Sequence, residues 1–130
     1  MSSHARGPFD VKLSPQTTAF ESESLRRMSI EKTFHGDLEA ISEGEMLSAG
    51  TGVRGSAGYV AIEQLAGTLK GRSGSFVLQH SATMTRGAPQ LSVTVVPDLG
   101  TGQLAGISGM MAIIITDGKH SYDFEYAIAE

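Results

Sequence analysis

The chain has no cysteine and no tryptophan, only four prolines among its 130 residues, and no apolar run longer than Met110 to Ile115. Each absence closes a class. Without cysteine there are no disulfides, thiolate zinc sites or cysteine nucleophiles, and a reducing compartment is permitted. Six apolar residues fall far short of the roughly 20 that a membrane-spanning helix needs. The opening MSSHARGPFDVKL lacks the apolar core of a signal peptide. The sequence therefore predicts a soluble, cytoplasmic protein with no membrane partner. A concentrated basic face is missing too: the net charge is −4, and Arg26, Arg27 and Lys32 are interspersed with Glu21, Glu23 and Glu31. That mixture reads as a solvated surface rather than a phosphate-binding one, so nucleic acid is not an expected partner.

What the chain does have is glycine, 16 of them, and alternation. In Ser75 to Arg86 one parity reads Phe76, Leu78, His80, Ala82, Met84 and the other Ser75, Val77, Gln79, Ser81, Thr83, Thr85, which is the period of a strand with one buried face. Leu25 to Phe34 behaves alike, with Met28, Ile30 and Phe34 on the apolar side and Lys32 as an intruder among them. Strands are also predicted over residues 8–19, 38–48, 58–68, 90–97, 104–116 and 120–129, about eight in all, in a single domain 1–130 with residues 1–7 as a flexible N-terminus. Thr-Asp-Gly-Lys at 116–119 is a hairpin signal, because Asp-Gly accepts the positive φ angles of a type I′ turn. So many strands in so small a chain create unpaired edges, which closure into an antiparallel barrel removes. The expected class is all-β. Leu38, Ala40, Ser42, Gly44, Met46 and Ser48 share one parity, and these mostly small inward residues are expected to leave lumen space.

GTLKGRSG at 67–74 returns as GQLAGISG at 102–109, with Gly, Leu, Gly, Ser and Gly in matching places. A phosphate loop needs a helix to follow it. Strand-type sequence follows both copies, so the glycines are read as turns, bulges or bends of a barrel.

GYVAIEQLAGTLKGRSGSFVLQHSATM, GTGQLAGISG and the closing YDFEYAI together resemble the bacterial family known as domain of unknown function 3224, over about Phe9 to Ile128. The resemblance implies a closed antiparallel barrel similar to that of allene oxide cyclase, and it makes a homo-oligomer the expectation. It carries no reaction with it.

Candidate chemistry centres on His80, the one ionisable group on the apolar parity of the cleanest strand. A hairpin centred near 71.5 pairs Glu63 with residue 80, and a carboxylate there would orient the imidazole. Phe76, Leu78 and Met84 are the expected ligand-contacting wall, joined by Tyr126 of the last strand and by Gln79 if the other parity faces inward. His4, His35 and His120 have no metal-binding spacing, and no metal or cofactor is expected. Two readings follow. One is a barrel binding a small, largely apolar molecule in its lumen, with isomerase or cyclase activity as a special case. The other is a filled, non-catalytic barrel built for homo-oligomerisation, favoured by the two-sided apolarity of Met110 to Ile115.

Overall fold

The computed structural model describes residues 2–129. Eight strands follow one another: β1 Ser3–Gln16, β2 Leu25–Phe34, β3 Leu38–Gly50, β4 Ala57–Leu69, β5 Arg72–Thr85, β6 Ala88–Val95, β7 Ile107–Thr116 and β8 Lys119–Ile128. Each pairs antiparallel with its sequence neighbour, and β8 returns to β1, so the sheet closes into an all-β barrel. A single 3-10 turn, Gly102–Leu104, interrupts the connection from β6 to β7.

Three of the hairpins turn on two residues with positive φ: Lys70-Gly71, Arg86-Gly87 and Asp117-Gly118. This is the I′ geometry whose twist matches that of the strands. The expected flexible N-terminus is corrected over residues 3–7: Ser3 to Pro8 pair with Tyr126 to Ser121 and supply the stave that closes the barrel. The signal was masked because His4 and Arg6 face outward and Ser3 is exposed at the strand end, leaving only Ala5 as a buried residue in that stretch. Closure is thinnest between β6 and β7, whose register consists of Thr94 opposite Met110.

The two ends differ. At one, Phe34, Leu38, Leu69, Phe76, Leu104 and Phe124 are buried in a continuous core. Leu69 and Leu104 are the leucines of the two glycine motifs, and both plug this end. The copies also touch: Ser73 N donates to Gln103 Oε1 at 2.9 Å, and a Cβ on Gly74 would lie 2.1 Å from the Thr101 carbonyl oxygen. The repeat is a pair of interlocking corners, with Gly71 at a hairpin tip and Gly106 just before β7. Tyr122 spans the closed end, its hydroxyl donating to the His35 carbonyl at 2.7 Å and accepting from Leu38 N at 2.9 Å. At the other end, inward-parity Leu13, Met84, Leu91 and Ile115 are exposed and form an apolar rim.

Candidate functional site

Strand alternation turns Lys32 of β2, Ser42 of β3, Glu63 of β4 and His80 of β5 inward, and all four are buried. Glu63 is 0% exposed, His80 3% and Lys32 7%, in the middle of a barrel otherwise packed with apolar side chains. One carboxylate oxygen holds them together: Lys32 Nζ donates to Glu63 Oε2 at 2.8 Å, and His80 Nε2 lies 2.5 Å from the same atom. Lys32 also sits 5.2 Å from the centroid of the Phe9 ring and 5.8 Å from that of Phe34, so aromatic faces complete its surroundings.

Small residues make the arrangement reachable. Lys32 and Glu63 are separated by β3, a span of about 10 Å at two strand spacings. The β3 positions between them are Ser42, opposite Lys32, and Gly44, opposite Glu63. A Cβ on Gly44 would lie 2.7 Å from Glu63 Cα and 2.2 Å from the Ile62 carbonyl oxygen, so only glycine allows β4 this close. The expectation that small inward residues leave the lumen empty is thus corrected at this depth, since Ser42 is 0% exposed and its corridor holds the lysine–glutamate bridge.

Electrostatics favours a charged Glu63. Burial pushes its carboxyl pKa up, but the His80 hydrogen bond and the charge and hydrogen bond of Lys32 outweigh this and hold it below the usual carboxylate range. An ionised carboxylate only accepts, so in the neutral His80 ring the proton lies on Nε2 and Nδ1 keeps its lone pair. Tyr59, its ring centroid 6.3 Å from that of His80, is raised by burial and then by the negative charge of Glu63. Among the described residues, two buried side-chain polar atoms have no hydrogen-bond partner in the protein: Glu63 Oε1 and Ser42 Oγ. The arrangement offers a base, a cation and two unused hydrogen-bonding atoms below an apolar rim.

The predicted residues separate into groups. Glu63 and His80 come together, although the register places Glu63 opposite Leu78 and Ala61 opposite His80, not Glu63 opposite His80. The turn centres between Lys70 and Gly71, one position earlier than expected, which shifts the pairing by two residues and preserves the face. Phe76, Leu78 and Tyr126 belong to the packed core, Phe76 and Tyr126 both stacking on Phe124. Met84, four residues beyond His80 and so about 13 Å away along the strand, is on the rim. Gln79 faces outward and lines a groove of about 890 Å³ with Leu47, Val60 and Ile62, so it is not a lumen residue. Lys32 and Ser42 were missed as site residues. The lysine's place between Ile30 and Phe34 on an apolar parity was the available signal. His4 and His35 pair separately with Asp123 and Asp10, and His120 packs against Phe9.

Comparison with known proteins agrees with the architecture. A family model described as "Protein of unknown function (DUF3224)" matches residues 5–126. The crystal structure of a protein with unknown function from the DUF3224 family of Shewanella oneidensis MR-1 is 50% identical, has a TM-score of 0.96, and is covered over 100% of this chain and 99% of that one. No curated protein matches the chain.

Proposed function

The chain belongs to the DUF3224 family, and we propose that it binds a small, largely apolar molecule in the open end of the barrel, with the ligand's polar group directed at Lys32, Glu63 and His80. The observation that carries this reading is the buried charged trio beneath an apolar rim. Desolvating three polar side chains is costly, and apolar residues of similar volume commonly give equal or better stability. Chemistry accounts for the trio better than folding does. Pockets of this kind combine apolar walls with a few convergent polar groups and shifted pKa values.

An isomerase or cyclase is the catalytic form of this reading. His80, oriented by Glu63, would take a proton through Nδ1, and Lys32 would stabilise developing negative charge. Native mass spectrometry of the protein purified from its own host tests the binding. A reproducible small molecule released on denaturation, and lost in a folded His80→Ala variant, is the expected result. A protein that is empty and binds no apolar compound would overturn it.

A second reading is compatible and rests on the outer surface. Met110 is 59% and Ile114 44% exposed on the outward face of β7, and Ile41, Leu47, Val60 and Ile62 are exposed on β3 and β4. Such patches favour burial against another copy, and a cytoplasmic homo-oligomer is the assembly this reading proposes.

A further inference from the structure

Glu63 Oε1 and Ser42 Oγ are buried with no hydrogen-bond partner in the protein, and buried polar atoms are as a rule satisfied by protein, water or ligand. They are neighbours in the lattice of inward positions: Ser42 is two residues from Gly44 on β3, and Gly44 faces Glu63 across the β3–β4 ladder. One atom can only accept. The other, a hydroxyl, needs an acceptor for its proton. Lys32 and His80 already occupy Glu63 Oε2, so neither orphan is explained by the trio's own bonding.

Resting on the reading that the open end takes a ligand, we infer that this ligand is a neutral apolar alcohol whose hydroxyl donates to Glu63 Oε1 and accepts from Ser42 Oγ. A hydroxyl is the smallest group that both donates and accepts, and it satisfies both orphans with one oxygen. The alternatives match less well. A carboxylate places a second negative charge beside Glu63 in a poorly solvated interior. A ketone answers Ser42 and leaves Oε1 unpaired. An alkylammonium adds a second cation near Lys32 and gives the Ser42 proton no acceptor. Entry is through methionine: Met28 and Met46 face each other across the β2–β3 ladder, one inward step above Ile30 and Gly44, and both are half-buried. Their unbranched thioethers change rotamer readily and reshape to admit an alkyl chain.

Isothermal titration calorimetry with four probes of one chain length tests this: 1-octanol, 2-octanone, octanoate and octylammonium. The expected result is 1-octanol binding about tenfold or more tightly than each of the others, the scale of one hydrogen bond to a charged acceptor. Ser42→Ala, which removes an unpaired buried hydroxyl, is expected to weaken 1-octanol several-fold while leaving the ligand-free protein at least as stable in urea. Equal binding of all four, or a preference for 2-octanone, octanoate or octylammonium, overturns the alcohol assignment and leaves the apolar site standing. Binding of none overturns the site itself.

Discussion

His80 and Glu63 lie on adjacent antiparallel strands but are not opposite one another: Ala61 faces His80, Leu78 faces Glu63, and the two side chains meet on the diagonal at 2.5 Å. Diagonal neighbours on one face of a sheet are about 7–8 Å apart at the backbone, within reach of a glutamate and an imidazole pointing toward each other. From the far side Lys32 reaches the same oxygen across the small residues of β3. The trio thus draws on three strands, while β3, lying between β2 and β4, supplies clearance at Gly44 and a buried hydroxyl at Ser42.

Breaking the trio one member at a time is expected to be far more damaging than removing it whole. Glu63→Gln leaves Lys32 buried without its counter-charge, a loss of about 3–5 kcal/mol. Lys32→Met combined with Glu63→Met and His80→Leu should recover most of that loss, because no charge is stranded. Urea unfolding of the variants decides between a functional and a structural trio. A triple variant as unstable as the single one would give the trio a structural role.

The native pKa of Glu63 lies below its unfolded value of 4.5, so the native state binds fewer protons than the unfolded chain in acid. Its contribution to stability is therefore complete above about 4.5 and drains away as pH falls through the lowered native value. Asp123, held low by hydrogen bonds from His4 and Arg6, acts in the same direction from the surface. Glu63→Gln should flatten the acid limb of stability against pH, measured by urea midpoints from neutral pH downward. An unchanged limb would assign acid sensitivity elsewhere.

Gly44→Ala should be among the most destabilising alanine substitutions, because the added Cβ meets backbone 2.2 Å away rather than a flexible side chain. An overpacking cost of about 1–3 kcal/mol is the minimum expected. Gly50→Ala, with nothing within 4 Å of the new Cβ, is the matched control and should be close to neutral. Thermal melts of the pair, read with the tyrosine near-ultraviolet circular dichroism signal, separate steric exclusion from a general intolerance of alanine in β3.

Leu104 is 1% exposed and plugs the closed end from the 3-10 turn. Leu104→Ala should cost about 2–5 kcal/mol, as a buried leucine of ordinary cores does. Leu99→Ala, on the same connection but half-exposed, should cost much less. Similar small losses at both positions would mean that the connection is not part of the core.

Charge on the outer face probes assembly. Met110→Lys and Ile62→Glu alter exposed outward residues without touching the lumen. If these faces join copies of the chain, at least one variant should lower the mass measured by size-exclusion chromatography with light scattering. A wild-type protein that elutes as a monomer at all concentrations would end the oligomer reading.

The strands were legible because alternation reports directly on which residues meet a core, and the glycine-bearing hairpins report on where the chain reverses. Parity put His80 on one face with Phe76 and Leu78 but left open which face lines the barrel, and the structure turns that face inward. Its meeting with Glu63 was reached by a register two residues off, and it survived because an even shift leaves every side chain on the same face. The strand formed by residues 3–7 was not legible, since Ala5 is the one buried residue in it and so short a stretch shows no alternation. Nor was the division of the predicted ligand wall into core, rim and outer groove, because position along a barrel axis depends on how strands are staggered around it. The sequence by itself determined the fold class, most of the strands and which residues share a face, all of which are set by local periodicity. Only the tertiary structure decided that Lys32 crosses Ser42 and Gly44 to reach Glu63, because a contact between side chains on non-adjacent strands depends on the curvature and closure of the whole sheet.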